Sequence, residues 1–432
     1  ININNAKSLT IDADNVGGQV SNASGTLNLG AGTLGVNVTG AGNTNIIGDV
    51  LSNNLIENAI TITGNYALTI GASNVGGAVT NNAGTLNLLA GTLNNNVIGA
   101  NGTTYIKGDV TSNNLISNSI VIVDTNSLSI SADNVGGTVS NNAGILNLGA
   151  GTLSYAISGN GSTVTTGDVI TNAVNLGNVV TNTGNTLTLM GDNTTGVLSK
   201  EITGGNVTVD GIINSSALIN ALIDINSGKS LTIDAGNIGD IVTNSGDLYL
   251  TSGTLGVNVT GEGSTTIQGV VTNGATIDNI VIISSGSLTS TVDSLTKAIT
   301  NNAVFYASGT LDKAISGTGT TKVNSTLTLR DGASIAGTLD LNQGTAIMNG
   351  DGVITEYVVN ELIGGGNIQI DINYGTTVTA DSITSTTSSG IVTIDSIIET
   401  GTRPETFEVR ILNGGSATLA ITEALRNSFY DM

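Results

Sequence analysis

The residues with the clearest chemical potential are aspartates that recur at a nearly fixed spacing. The tripeptide Gly-Asp-Val occurs three times, with its first two residues at Gly48 and Asp49, Gly108 and Asp109, and Gly167 and Asp168. Carboxylates can act as general acid and base in glycoside hydrolysis, and some β-helices cleave polysaccharides. An active site is needed once, however, whereas a turn is needed in every repeat. We therefore predict that these residues form structural turns in which the aspartates cap backbone N–H groups.

Calcium is the one cofactor that the sequence leaves open. Asp12, Asp14, Asp133 and Asp234 supply the hard oxygen ligands that this ion prefers. The second repeat has Ser73 where the first has Asp14, which argues against a calcium site required for folding. The chain also lacks the Gly-Gly-x-Gly-x-Asp repeat of calcium-binding β-helices. We predict no cofactor, with calcium as the alternative.

The sequence contains few residues that could serve other kinds of catalysis. The chain has no histidine and no cysteine, so it lacks the usual general base of nucleophilic triads and every thiolate metal ligand. Aromatic residues, which form platforms for sugars, make up only 3% of the chain. The sequence has neither a phosphate-binding loop nor a dinucleotide fingerprint. We predict that the protein is not an enzyme.

The charge excludes two classes of partner. There are 32 acidic and 11 basic residues, for a formal net charge of −21. Nucleic-acid binding requires clustered lysine and arginine, and an acidic surface also repels anionic lipid. No run of about 18 apolar residues marks a membrane helix. We predict no nucleic-acid partner and no membrane insertion of this segment.

A second set of markers reveals an internal repeat. Gly-Thr-Leu, or a degenerate version of it, begins at Gly32, Gly91, Gly151, Gly196, Gly253 and Gly309. Self-similarity at a period of roughly 45–60 residues is typical of solenoids, in which each unit packs on its neighbours.

Within each repeat, apolar and polar residues alternate in runs of about four to six, such as SLTI, TLNL and ITIT. Turn-forming pairs such as NN, GG and GN separate the runs. A unit of about 57–60 residues without an aromatic cluster would make a poor isolated sandwich domain. Stacked coils instead share one continuous aliphatic core. The predicted fold is all-β, a parallel right-handed β-helix (β-solenoid) with coils of about 20–25 residues.

The pattern predicts three regions. Residues 1–324 form six repeat units of about 45–60 residues, 325–400 continue as degenerate coils, and 401–432 form a C-terminal cap or junction. Within that last region, ETFEVRILNGG predicts a strand and ATLAITEALRNSFYDM predicts a helix. A junction to a neighbouring domain or subunit would use Arg403, Arg410, Arg426, Phe429 and Tyr430.

The phrases GTLNLGAGTL, GVNVTGAG and GGNVTVDGIINS resemble the passenger regions of bacterial autotransporters, above all the surface cell antigens of rickettsia-like bacteria. The resemblance covers roughly residues 1–400 and rests on repeat texture and short phrases. It implies a β-helical passenger displayed on the cell surface and used in host-cell adhesion or as a surface coat.

Two functions follow as alternatives. The first is a non-catalytic, surface-displayed rod that acts in adhesion or as a stalk, with a host-cell receptor as its partner. The second is a self-assembling subunit of a surface layer, sheath or extracellular filament, with like subunits as partners. Both place the protein outside the cell or on a bacterial surface. A carbohydrate-active enzyme is a weaker third hypothesis, because it requires a cluster of acids in one groove.

Overall fold

The computed structural model describes residues 1–191 and 196–430, with side chains described up to residue 426. The chain forms two compact units, residues 1–222 and 223–432, so the boundary falls inside the predicted repeat region. Each unit is an all-β solenoid of stacked coils, as predicted.

The strands of the first unit are short. They are β1 (Asn2–Ile3), β2 (Ser8–Asp12), β3 (Val20–Asn22), β4 (Thr26–Gly30), β5 (Gly32–Leu34), β6 (Val38–Thr39), β7 (Asn43–Ile46), β8 (Val50–Ser52), β9 (Ala59–Ile62), β10 (Ala67–Gly71), β11 (Val79–Asn81), β12 (Thr85–Leu89), β13 (Gly91–Leu93), β14 (Val97–Ile98), β15 (Thr103–Ile106), β16 (Val110–Ser112), β17 (Ser119–Ile122), β18 (Ser127–Ser131), β19 (Val139–Asn141), β20 (Ile145–Gly149), β21 (Gly151–Leu153), β22 (Ile157–Ser158), β23 (Ser162–Thr165), β24 (Val169–Asn172), β25 (Val179–Asn182), β26 (Thr186–Met190), β27 (Gly196–Leu198), β28 (Ile202–Val209), β29 (Ile212–Ser215) and β30 (Ile219–Ile225), which contains the boundary. Single 3-10 turns lie at Ala13–Asn15, Ala72–Asn74, Ala132–Asn134 and Ala173–Asn175.

The strands of the second unit lengthen towards its C-terminal part. They are β31 (Ser230–Ile233), β32 (Val242–Asn244), β33 (Asp247–Leu250), β34 (Gly253–Leu255), β35 (Val259–Thr260), β36 (Ser264–Ile267), β37 (Val270–Asn273), β38 (Ile280–Ile283), β39 (Ser287–Thr291), β40 (Ile299–Asn301), β41 (Val304–Leu311), β42 (Ala314–Ser316), β43 (Thr320–Leu329), β44 (Ser334–Asp340), β45 (Thr345–Met348), β46 (Glu356–Ile363), β47 (Asn367–Tyr374), β48 (Val378–Ala380), β49 (Ser382–Ser389), β50 (Ile391–Gly401), β51 (Leu412–Asn413) and β52 (Thr418–Ile421). The 3-10 turns are Ala235–Asn237 and Val292–Ser294, and the helix α1 spans Glu423–Tyr430.

The coil of the first unit is shorter than predicted. Leu9 lies opposite Leu27, Leu27 opposite Thr44, and Thr44 opposite Ile60, all in parallel register. Hydrogen bonds between side chains of neighbouring coils accordingly join positions 17 or 18 apart in the sequence. The predicted coil was longer because the strands of a real coil are short and the glycine and asparagine turns between them are tight.

The sequence repeat and the coil have different periods. The first repeat is longer than three coils by a single face of the solenoid, so the second and third repeats each begin one face later than the one before. The opening strands of the first three repeats accordingly lie in three different sheets: β2 in a six-stranded sheet, β10 in an eight-stranded one and β18 in a third. Equivalent residues of successive repeats therefore do not stack on one another.

The described buried apolar residues of the first unit are all aliphatic. In β12, Leu86 and Leu88 are fully buried, and Leu68 and Ile70 of the preceding coil lie directly opposite them. Burial of each such side chain contributes about 1.5–3 kcal/mol. Because parallel strands stack about 4.8 Å apart, like residues contact like residues along the core.

A buried polar cluster interrupts the core in four of the six repeats. In the second repeat, Thr104 Oγ1 donates to Asn118 Oδ1 at 2.9 Å, and Asn118 Nδ2 donates to the Asn81 carbonyl at 2.9 Å. All three residues are at most 1% exposed. We call this arrangement the Asn–Thr–Asn cluster. Equivalent sets are Asn22, Thr44 and Asn58; Asn141, Thr163 and Asn178; and Asn244, Thr265 and Asn279.

The first asparagine of the cluster explains two glycines in the next coil. Gly99 has a φ of +131°, and a Cβ there would lie 2.1 Å from the Asn81 carbonyl oxygen. At Gly102 a Cβ would lie 2.4 Å from Asn81 Cγ. The pair Gly99 and Gly102, like Gly40 and Gly42 beside Asn22 in the first repeat, thus leaves the space that the preceding asparagine corner requires.

The last coils of the second unit are wider. Tyr357 lies opposite Ile383, and Ile383 lies opposite Leu412. Hydrogen bonds between neighbouring coils there join positions 26 to 29 apart in the sequence. One pair described there, β47 with β48, is antiparallel and forms a hairpin.

Two predictions for the C-terminal region need correction. The segment predicted as one helix begins with β52, which pairs with β50, and only Glu423–Tyr430 is helical. The segment 405–415, predicted as a strand, contains only β51. In both cases pairing with the preceding coil decides which residues are extended.

Candidate functional site

The aspartates of Gly-Asp-Val hold the next coil. Asp49 Oδ1 accepts the backbone N–H of Ala67 at 2.9 Å, and Asp109 Oδ1 accepts both the N–H and the hydroxyl of Ser127 at 2.9 and 2.8 Å. Asp168 Oδ1 accepts the N–H of the equivalent Thr186 at 2.8 Å. The glycine before each aspartate is also constrained, since a Cβ at Gly48, Gly108 or Gly167 would lie within 2.5 Å of the backbone nitrogen of an alanine.

Replacing Asp109 by alanine should lower the free energy of unfolding by about 1 kcal/mol, because the N–H of Ser127 loses its acceptor. Asp109→Asn keeps an acceptor oxygen and should retain most of the stability. Hydrogen exchange of the Ser127 amide in the two variants measures the difference. Equal exchange in wild type and Asp109→Ala would contradict the capping role.

Three of the aspartates considered for calcium, Asp14, Asp133 and Asp234, accept hydrogen bonds from protein donors. Asp14 Oδ1 accepts the backbone N–H of Thr33 at 2.7 Å, and Asp133 Oδ1 accepts that of Thr152 at 2.8 Å. In the second repeat, Ser73 Oγ accepts the N–H of Thr92 at 2.9 Å. A hydroxyl therefore does the work of the carboxylate in the second repeat. Asp234 accepts the hydroxyls of Thr251 and Ser252, and these two bonds lower its pKa.

No set of metal ligands is assembled within residues 1–191 and 196–430. There, no three acidic, histidine or cysteine side chains converge as a metal site requires. In the same residues, no helix is long and apolar enough to cross a membrane.

Shallow grooves recur on the first unit. One of about 400 Å³ includes Asp12 and Gly30, and one of about 300 Å³ includes the equivalent Ser131 and Gly149. The polar groups along them bond one another, as Asn147 Nδ2 does with Ser129 Oγ at 3.2 Å. These grooves are open to solvent and enclose no site.

The described chain departs furthest from the regular coil in the second unit. Three segments, residues 349–355, 371–381 and 399–411, extend consecutive wide coils and contact one another, and we call them the arm. Within it, residues 372–374 still pair in parallel with residues 399–401. The first touches the second through Gly352 N–H, which donates to Asp371 Oδ2 at 2.7 Å. The second touches the third through Tyr374, whose ring packs edge-on against Phe407 at 5.1 Å.

A polar network closes the outer part of the arm. The Tyr374 hydroxyl donates to Glu399 Oε1 at 2.5 Å, and Arg403 Nε donates to the same oxygen at 2.8 Å. Burial, together with the neighbouring Glu399, raises the pKa of Tyr374 to about 12. Arg403, predicted as a junction residue, is thus engaged within its own unit.

Two of the other predicted junction residues are exposed. Arg410 is exposed, and Arg426 lies exposed on α1. The side chains of Phe429 and Tyr430 lie outside the described residues. Contact between any of these residues and a neighbouring subunit stays a prediction.

Two buried carboxylates at the base of the arm were not predicted from the sequence. Asp371 and Asp381 are fully buried at the neck of the β47–β48 hairpin. Burial raises the pKa of both, that of Asp381 to about 6. The available signal was DINYGTTVTAD, a short strand–turn–strand segment with an aspartate at each end.

No family model matches this chain, and comparison with curated proteins and with solved structures gave no match either.

Proposed function

We propose that this chain is a non-catalytic β-solenoid displayed on a bacterial cell surface, where it acts in adhesion or as a stalk. One observation carries the proposal: the recurring aspartates and asparagines of the first three repeats form hydrogen bonds between stacked coils. Because these polar side chains already bond within the protein, we infer that the repeats provide length and stability rather than catalytic or binding groups. The high negative charge keeps such a surface soluble.

The arm is the candidate binding element of this function. Solenoids and other rigid scaffolds carry their binding determinants on segments that leave the regular coil. Exposed side chains of the arm include Val353, at 51% exposure, and Phe407. The partner class proposed is a host-cell surface receptor.

The test is binding of the purified full chain to host cells. Replacing Val353 by serine should reduce binding at least about tenfold, as expected for an apolar contact near the centre of an interface. Val270→Ser is the matched control, because Val270 is equally apolar and 68% exposed on a regular coil, and it should bind as wild type does.

Three outcomes are informative. Binding that both variants retain would place the contact on the coils and overturn the assignment to the arm. Absence of binding to every host cell type would contradict adhesion. Filaments or sheets in electron micrographs of the same sample would favour a self-assembling subunit instead.

A further inference from the structure

The neck of the hairpin is built from two aspartates, joined by one backbone–backbone bond and by one bond from the backbone of Asp371 to the carboxylate of Asp381. Asp381 N–H donates to the Asp371 carbonyl at 3.0 Å, and Asp371 N–H donates to Asp381 Oδ2 at 2.7 Å. The next pair outward, Ile372 with Ala380, begins the antiparallel ladder. The two aspartates therefore fix where the hairpin leaves the coil.

The two carboxylates differ in how they are satisfied. Asp381 accepts two backbone N–H groups, from Thr355 at 2.8 Å on one oxygen and from Asp371 on the other. Asp371 accepts Gly352 N–H on Oδ2, and the N–H groups of Gly350 and Asp351 also favour its charged form, while its buried Oδ1 has no partner with hydrogen-bond geometry. An ionised carboxylate with an unsatisfied, fully buried oxygen is costly.

The charges facing this pair do not neutralise it. Asp351 acts on both carboxylates from the preceding loop, Asp331 acts on the neighbouring Tyr357, and the one cation described there, Arg330, lies 4.0 Å from Asp351. Tyr357 of β46 has its hydroxyl on the Leu329 carbonyl and stays protonated, because burial and Asp381 raise its pKa.

Glu405, Glu408 and Arg410 of the arm are exposed, Asp395 of β50 bonds Asn367 and has a pKa raised by burial, and the remaining charged groups nearby bond away from the neck. Glu399 and Arg403 bond one another beside Tyr374, and the carboxylate of Glu356 accepts the hydroxyl of Thr384. The immediate surroundings of the neck therefore carry a net negative charge.

We propose that Asp371 and Asp381 form a proton-binding latch that closes the hairpin arm in mild acid and loosens it near neutral pH. A bound proton removes the uncompensated charge at the neck and relieves repulsion between the two carboxylates. Release of that proton leaves two adjacent buried charges, which opening of the hairpin relieves by hydration. The latch goes beyond the proposed display function and does not depend on it.

The direction of the pH dependence follows from the raised pKa of these acids. A group whose pKa is higher in the folded state stabilises that state below its unfolded pKa of 3.8, and this stabilisation is lost as the pH rises through about 6. Between pH 4.5 and 7.5, the opening equilibrium of the hairpin should increase on the order of tenfold as the coupled pair of carboxylates ionises.

Hydrogen exchange followed by mass spectrometry tests this on the full chain. After correction for intrinsic rates, peptides covering 367–384 should lose protection on the order of tenfold between pH 4.5 and 7.5. Peptides covering 279–301, in a regular part of the same unit, serve as the internal control and should change by less than about twofold. Protection at 367–384 that does not fall with pH would overturn the latch.

Two isosteric variants separate the latch from a merely structural role. Asp371→Asn keeps the oxygen that Gly352 needs and removes the charge, so the pH dependence should shrink several-fold while protection at pH 7.5 rises. Asp381→Asn loses one of two N–H acceptors and should reduce protection at both pH values. A wild-type pH profile in Asp371→Asn would contradict the proposal.

A bound cation is the rival means of neutralising the same charges. The wild-type exchange at pH 7.5 is therefore repeated with calcium and with a chelator. Equal protection in both supports the proton latch. Protection that depends on calcium would overturn it.

Discussion

Replacing Gly99 by alanine is expected to lower the free energy of unfolding of its coil by at least about 3 kcal/mol. Two costs combine. The backbone φ of +131° is strained for any residue with a side chain, and the new Cβ would lie 2.1 Å from the Asn81 carbonyl oxygen. That oxygen cannot move freely, because it also accepts the amide of Asn118. Chemical denaturation and hydrogen exchange of residues 79–118 measure the loss.

Gly35 provides the matched control. A Cβ there meets nothing within 4 Å, and the second and third repeats carry Asn94 and Ser154 at the equivalent position. Gly35→Ala should change stability by less than about 0.5 kcal/mol. Comparable losses in the two variants would show that the stacking of the coil on the asparagine corner is wrong.

The second large effect is expected at the Asn–Thr–Asn cluster. Asn118→Ala should cost about 2–4 kcal/mol, because it strands the Thr104 hydroxyl and the amide acceptor at Asn81 in a site closed to water. Denaturant titration gives the loss, and hydrogen exchange locates it in the coils that contain the cluster.

A double variant shows whether unsatisfied groups cause the loss. Thr104→Val added to Asn118→Ala removes the stranded hydroxyl, so the two changes should cost less together than the sum of their separate costs. Asn113→Ala is the surface control, since Asn113 bonds Asn94 in an exposed position, and its effect should stay below about 0.5 kcal/mol. Strict additivity in the cluster would contradict the account.

Sequence reasoning reached the solenoid because alternation of the TLNL kind leaves room only for strands and the repeats leave no isolated core. It overestimated the number of residues in one coil of the first unit. The period that the sequence shows is the spacing of the Gly-Thr-Leu marker. The shorter period of the coil is seen only in the strand pairing of the structure, such as Leu9 with Leu27. Both strands are apolar and alternating, so the repeat hides the shorter period within itself.

The candidate site was harder to predict. The arm consists of ordinary residue types, and Asp371 and Asp381 resemble the many turn aspartates of the chain. What distinguishes them is complete burial, which depends on the loop 350–355 from the preceding coil. Contacts between segments that are distant in the sequence, in coils of unequal length, leave no periodic trace.

Disulfide trapping tests the central claim, a short coil in which Leu9 stacks on Leu27 and successive repeats lie on different faces. The chain has no cysteine, so introduced pairs report without background. Thr10 and Asn28 lie opposite each other on neighbouring strands, within the range a disulfide can bridge, so Thr10→Cys with Asn28→Cys should cross-link readily. Thr10→Cys with Thr69→Cys joins equivalent positions of two repeats in different sheets and should not cross-link. Cross-linking of the second pair but not the first would mean that the sequence repeat itself is the coil, and would contradict the account.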